Sequence, residues 1–358
     1  MSTIQGLRTP GPGLRLHLNE NTAGCSQRVL EAIHRVTAEE ISTYPDYEAA
    51  VRETAAHLGA DPDWMVLTNG LDDGLLLTAI GYLTARAPDG LVALGAMPVA
   101  PSGQPEQILV LPTFEPYLVN ARALGARTLA IPSDADFAFP LAQVLGAISP
   151  NTRLILVNTP HNPSGRPVAE SDIRAVIEAA PHAAVFIDEA YHDFHGVNHL
   201  ALTREYPNVM IGRTFSKAYG LAGIRIGVVI APPALLAPIR YVMPLFNLNA
   251  VAVAALRAAV ADPRFLAASV AQARESKALL YEALTRLGLP HWKSETNFVL
   301  VDGGDRCQEF VSGLAARGIH VRDRSKEHGC AGCFRVSVGP VEHARTAVAA
   351  LEALCARP

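Results

Sequence analysis

The chain predicts an α/β fold: a mostly parallel sheet with helices on both faces, followed by a smaller α+β segment. Three observations lead there. From about residue 45 to 240, short apolar runs recur without polar alternation, as expected of strands buried on both faces. Helix-length patterns separate them, and that alternation builds parallel sheets. After Pro244 the character changes to alanine-rich helices and then further strands.

Taken in order, Trp64-Met65-Val66-Leu67 is the first strand candidate. It turns at Thr68-Asn69-Gly70 into a helix bearing Leu75, Leu76, Ala79, Ile80 and Leu83. A connector of about Arg86 to Gln107 follows, with Pro88, Pro98, Pro101 and Pro105 and almost no charge. The helix runs away from the turn and the next strand, Ile108-Leu109-Val110-Leu111, returns, so the connector is expected at the far end of the sheet. Leu154 to Val157, Ala183 to Ile187, Val209 to Ile211 and Ile226 to Ile230 are further strands. Beyond Pro244 come helices over Ala250 to Val260 and Phe265 to Leu287, then a strand over Phe298 to Val301. A helix around Cys307 to Arg317 and strands near Ile319 to Val321 and Phe334 to Val338 complete the chain. The expected division is an arm over 1–27, a large domain over 28–243 and a small one over 244–358.

Composition bounds the function. The chain has 358 residues, 49% of them hydrophobic, enough for a large core without disulfides or metal. A net charge of −4 without a long basic block argues against nucleic acid as partner. No run approaches the roughly 18 apolar residues of a membrane span. The first eight residues lack the shape of a signal peptide, so the cytoplasm is the expected location. The five cysteines suggest free thiols. Cys330 and Cys333 form a C-x-x-C, but a zinc site normally needs a second such pair, and Cys307 and Cys355 stand alone.

Chemistry concentrates in Thr214-Phe215-Ser216-Lys217-Ala218-Tyr219-Gly220-Leu221-Ala222-Gly223-Ile224-Arg225. A lysine among hydroxyls and glycines, with an arginine eight residues on, suits a phosphorylated aldehyde. The amine forms a Schiff base while Thr214, Ser216 and Arg225 gather around the phosphate. Three other stretches stand at the ends of strands or in turns. These are Thr68-Asn69-Gly70-Leu71-Asp72, Asn158-Thr159-Pro160-His161-Asn162-Pro163-Ser164-Gly165 and Asp188-Glu189-Ala190-Tyr191. Strand C-termini are where ligands bind in open α/β sheets, and a glycine turn before a helix offers backbone N–H groups to an anion.

The lysine segment resembles the pyridoxal-phosphate motif of fold-type I aminotransferases. It is most similar to the histidinol-phosphate aminotransferase subgroup, which carries an S-K-A-x-G-L-A-G-x-R run. Gly70, Asn162, Asp188 and Lys217 follow the family's order, and the resemblance covers nearly the whole chain. It implies the fold-type I architecture, a large, mostly parallel seven-stranded sheet domain with a smaller α+β C-terminal domain. It also implies pyridoxal 5'-phosphate as cofactor. On that resemblance, Leu71 and Asp72 offer backbone amides to the cofactor phosphate, and Asp188 holds the pyridine nitrogen. Tyr191 and Asn162 meet the phenolate oxygen. Phe114 stacks on the ring or, alternatively, belongs to the core. His161 is read as a loop residue. Tyr44, in Tyr44-Pro45-Asp46, resembles a tyrosine that reaches the neighbouring subunit's phosphate, implying a homodimer; a plain turn is the alternative.

The implied reaction is amino transfer between histidinol phosphate, or a related amino acid, and a 2-oxo acid such as 2-oxoglutarate. Arg335, in Phe334-Arg335-Val336-Ser337-Val338-Gly339, matches the arginine that takes an α-carboxylate or the substrate phosphate. Arg322, in Val321-Arg322-Asp323-Arg324-Ser325, matches one that helps hold the phosphate. Asn21 of the arm is the third expected substrate contact. The arm departs from the family: no tyrosine precedes Tyr44, and the usual N-E-N-P-x-G-P reads Asn19-Glu20-Asn21-Thr22-Ala23-Gly24-Cys25. An unphosphorylated aromatic or specialised amino acid is therefore the alternative donor. Decarboxylation or cyclisation on the same cofactor also stays open, since fold does not settle reaction type.

Overall fold

The computed structural model describes residues 11–84 and 103–356. Eleven strands lie among them: β1 (Leu14–Leu16), β2 (Met65–Thr68), β3 (Glu106–Leu111), β4 (Arg127–Pro132), β5 (Thr152–Asn158), β6 (Ala184–Asp188), β7 (Val209–Thr214), β8 (Gly227–Ile230), β9 (Phe298–Asp302), β10 (Ile319–Asp323) and β11 (Cys333–Ser337). Seven form the large sheet in the order β2-β8-β7-β6-β5-β3-β4, with β8 antiparallel to both neighbours and the pairs from β7 to β4 parallel. The other four form a second sheet, β1-β10-β11-β9.

The apolar runs lack alternation because both faces of the large sheet are covered. Ile155, Val157, Val185, Ile187, Val209 and Ile211 point into one core; Leu154, Leu156, Ala184, Phe186 and Met210 point into another. Alternate residues of each strand thus serve opposite helical layers. Full burial of each large side chain contributes roughly 1.5–3 kcal/mol, so these central strands hold the frame on which the loops at their ends are mounted. Gly212 makes room at one such end. A Cβ there would lie 2.5 Å from the Phe186 ring and 2.9 Å from Leu71.

Several expected elements are longer or shifted. The strand expected from Ile108 begins at Glu106, because Glu106 is held by Arg127 (2.8 Å) and by Ser149 (2.6 Å). The end of the expected connector is therefore strand. Residues 85–102, which make up most of it, lie outside the described residues, and so does its expected position. Trp64 closes a short 3-10 turn rather than opening a strand. Sequence reading passed over β1, β4 and the helix Val341–Cys355. β4 is an edge strand whose residues are exposed or half-buried, so it carries no buried-strand pattern. Leu14 to Leu16 is too short to show a period, yet it joins the second sheet parallel to β10.

Candidate active site

The parallel strands deliver their C-terminal ends to one edge of the large sheet, where open α/β sheets bind ligands. β5 ends at Asn158, β6 at Asp188 and β7 at Thr214, three residues before Lys217. β3 ends at Leu111, and Pro112, Thr113 and Phe114 follow it to the same edge. Beside it opens a cavity of about 470 Å³ lined, among others, by Asn19, Phe114, Asn162, Tyr191, Lys217 and Arg335. Arg322 and Arg335 reach it from the second sheet, where they are cross-strand partners.

Lys217 donates from Nζ to the Leu18 carbonyl at 3.0 Å. Burial, reinforced by the Arg335 cation, lowers its amine to about 8, so a useful fraction is neutral near pH 7. Asp188 is only 3% exposed. Its Oδ1 accepts from the Ala190 N–H at 2.9 Å, and its Oδ2 accepts from the Tyr117 hydroxyl. Burial outweighs both bonds and raises the carboxyl to about 6. Tyr191 is buried and accepts from Asn19 Nδ2 at 2.8 Å. The backbone N–H of Asn162 donates to Asn158 Oδ1 at 2.7 Å, and its side-chain oxygen accepts from Arg335 Nη1. His161 is held by Ser164 Oγ and the Pro112 carbonyl, both at 2.8 Å; burial lowers it to about 4, which keeps it neutral and internal to the loop.

An anion cup lies at the start of the helix Leu71–Leu83. No side chain caps this helix, and Gly70 enters it at φ 83, a left-handed conformation that favours glycine. A Cβ on Gly70 would lie 2.5 Å from Arg225 Nη2, so the guanidinium rests against this turn. A Cβ on Gly227 would lie 2.4 Å from the Leu71 nitrogen, so β8 passes directly beneath it. Gly227 pairs with Thr68 on one side and Thr214 on the other, which brings the hydroxyls of Thr214 and Ser216, 3.0 Å apart, to the same place. Leu71 contributes backbone here while its side chain is buried in the second core cluster. Arg225 also reaches Asp72 Oδ2 at 3.3 Å.

One expected substrate contact stands elsewhere. Asn21 does not line the cavity: its amide donates to the Ala218 carbonyl (3.2 Å) and Ser269 Oγ (2.9 Å), tying the arm to the body. Asn19, two residues earlier, takes the place on the wall. Its φ of 57 turns the side chain to Tyr191 and to Ser337. Tyr44 lies outside this chain's cavity, 77% exposed and stacked on Phe246 at 4.0 Å. Cys330 and Cys333 are buried with Phe137 and Leu300, and burial pushes both thiols up to about 12. Sequence reading missed Tyr117. The signal was its spacing, three residues past Phe114 in the first turn of the helix Glu115–Ala123, and the two rings meet edge to face at 5.7 Å.

A buried amine, a buried carboxylate and an anion cup on one sheet edge are the furniture of an enzyme that works through a phosphorylated aldehyde. Comparison with known proteins narrows the class. The model of the aminotransferase class I and II family matches residues 12–351. The chain is 36% identical to a histidinol-phosphate aminotransferase of Symbiobacterium thermophilum over 345 residues, covering 95% of this chain and 90% of that one. To the histidinol-phosphate aminotransferase of Anoxybacillus flavithermus it is 33% identical, covering 94% and 87%. A solved histidinol-phosphate aminotransferase from Sinorhizobium meliloti, in complex with pyridoxal-5'-phosphate, superposes with a TM-score of 0.83 at 25% identity, covering 96% and 91%. The chain belongs to the aminotransferase class I and II family. It is a pyridoxal-phosphate-dependent transaminase of fold type I, and its substrates are an amino donor and a 2-oxo acid. The residues present fit that cofactor, since the glycine-floored cup with Arg225 suits its phosphate and the low-lying Lys217 amine suits its aldehyde.

Proposed function

We propose that this aminotransferase moves the amino group of histidinol phosphate, or of a closely related phosphorylated amine, to a 2-oxo acid such as 2-oxoglutarate. The observation that carries the reading is the pair Arg322 and Arg335, side by side on β10 and β11, both lining the cavity that holds Lys217. Two planar guanidinium groups suit a doubly charged phosphate. The names of the relatives support the same substrate.

In this reading the Leu71 and Asp72 amides, Thr214, Ser216 and Arg225 hold the cofactor phosphate, and Phe114 lies against the ring. When bound, the cofactor supplies an electron sink for the substrate carbon that loses its proton. Lys217, with its amine near 8, is poised to take that proton and return it at the neighbouring carbon. Asp188 holds the proton of the ring nitrogen. A cation there draws the carboxyl back down from about 6, so the pair stabilises itself. Tyr191 donates its hydroxyl to the phenolate oxygen. The Asn162 carbonyl is taken by Arg335, which leaves its amide N–H groups to donate to that same oxygen.

The reading includes a cytoplasmic homodimer. Tyr44 lies outside its own chain's cavity wall and is exposed, as are Ile41, Tyr241, Leu245 and Phe246, a surface suited to a second copy whose site Tyr44 would enter. Among the described residues no helix is long and apolar enough to cross a membrane. A second reading, an unphosphorylated donor, is favoured by the arm, which has no tyrosine and turns Asn21 away from the cavity. Substitution of the two arginines separates them. Each charge-assisted hydrogen bond is worth roughly 1.5–3 kcal/mol. Arg322→Ala and Arg335→Ala should therefore each lower kcat/KM for histidinol phosphate at least about tenfold. A silent Arg322→Ala, with good turnover of an unphosphorylated donor, would reject the phosphate.

A further inference from the structure

Behind the sheet edge lies a buried charged cluster that no step of the reaction uses. The β6–β7 ladder ends with Asp188 opposite Gly212, so the next residues, Glu189 and Arg213, fall opposite one another. Side chains alternate along a strand. Asp188 and Thr214 face one way, while Glu189 and Arg213 continue the face of Ile187 and Ile211. Glu189 has no exposed surface, and Arg213 and His199 are each 4% exposed. Arg213 donates from Nε to Glu189 Oε2 at 2.9 Å, and its Nη2 lies 2.8 Å from the same oxygen. Glu189 Oε1 accepts from the His199 backbone N–H at 2.6 Å and from His199 Nδ1 at 2.9 Å. Burial opposes the charge of Glu189, yet the His199 bond and the Arg213 cation outweigh it and hold the carboxyl at about 2. His192 and Asp193, from the helix His192–His195, together with His57 and Tyr219 are further ionisable groups near the cluster.

Each bond of this carboxylate holds the neighbour of a site residue. Glu189 directly follows Asp188, and Arg213 directly precedes Thr214. Glu189 and His199 are the tied ends of the loop that carries Tyr191. We propose that Glu189 is a positioning residue: by clamping Arg213 and His199 from behind the sheet edge, it sets Asp188, Thr214 and Tyr191 at the separations one bound cofactor requires. Glu189 does not line the cavity, so it acts only through these neighbours. Such a clamp needs a carboxylate, whose two oxygens only accept, because three donors converge on it. The amide of a glutamine would turn a donor toward one of them. The proposal concerns the pyridoxal-phosphate chemistry and is independent of which amino donor the enzyme takes.

Two readouts of the loaded enzyme test it without turnover: the affinity for pyridoxal 5'-phosphate and the pH midpoint of its visible band. Arg213→Lys keeps the charge but loses the planar fork. It should weaken cofactor binding at least about tenfold, because Asp188 and Thr214 lose their relative placement. His199→Ala loosens the Tyr191 loop alone. The Tyr191 hydroxyl favours the ionised phenolate, so its displacement should raise the midpoint by at least about half a pH unit, with affinity within about threefold of wild type. Glu189→Gln should show both effects. Leu351→Ala, which opens a cavity in the core of the small domain, is the control for lost stability: it should weaken the protein to urea and move neither readout. Absence of either shift in its variant, or equal shifts in Leu351→Ala, overturns the proposal. Removing one partner of a buried pair is strongly destabilising, so if Glu189→Gln does not fold, Arg213→Lys and His199→Ala decide. Failure of wild type to turn over histidinol phosphate would refute the proposed substrate and leave this test unchanged.

Discussion

Replacing Asp188 by Asn should stabilise the cofactor-free protein and disable the loaded one. The carboxyl is buried and stands at about 6 against an ordinary 3.8. The folded chain therefore binds more protons than the unfolded chain between about pH 4 and 6, and its stability falls as pH rises through that window. At pH 7 the buried charge costs about 3 kcal/mol relative to a neutral group. Asn removes the charge and keeps the bonds: its oxygen can accept from Ala190, and its amide can donate to Tyr117, whose hydroxyl reverses role. Urea unfolding of wild type and Asp188→Asn, both freed of cofactor, should show the variant more stable by up to about 3 kcal/mol at pH 7 and equal near pH 4. The same variant, reloaded, should retain cofactor and lose most of its turnover, because nothing then keeps the ring nitrogen protonated. A variant no more stable at pH 7, or a gain that does not shrink on acidification, would refute the reasoning.

Two further outcomes follow from the site. The Lys217 amine, lowered to about 8, is increasingly protonated, and so less reactive, as pH falls below that value. Covalent uptake of the cofactor, followed by the growth of its visible band, should accelerate with pH and level off above about 8; Lys217→Ala should show no such band, and a pH-independent rate would contradict the assignment. If Tyr44 serves the neighbouring site, mixing inactive Lys217→Ala chains with Tyr44→Phe chains should restore activity through hybrid dimers. Absence of rescue after confirmed mixing would argue for self-contained sites.

What the sequence disclosed and what it hid have physical reasons. β5, β6 and β7 were legible because a strand covered on both faces must be apolar throughout, and their ends and the turns that follow carry Asn162, Asp188 and Lys217. The cup at Gly70 was legible as a glycine turn before a helix, although its closeness to Arg225 depends on Gly227, a contact between distant parts of the chain. Tyr117 was hidden because a tyrosine on an amphipathic helix reads as core until the fold brings Asp188 to its hydroxyl. Asn19 was hidden because the arm beyond the three-residue β1 has no period to read, and only its left-handed turn sends the side chain to Tyr191. Arg324 and Glu327, an ion pair three residues apart, drew no reading from the sequence, because their place on the cavity wall comes from the fold. β4, on the sheet edge, has no buried face to announce it.

The central claim is that this transaminase accepts the amino group of a phosphorylated substrate and passes it to a dicarboxylic 2-oxo acid. Rapid mixing of the loaded enzyme with histidinol phosphate alone tests it most directly, since the half-reaction needs no acceptor. The account predicts that the visible band bleaches in a single turnover and returns when 2-oxoglutarate is added. A band that persists with histidinol phosphate but bleaches with an unphosphorylated amino acid would contradict it.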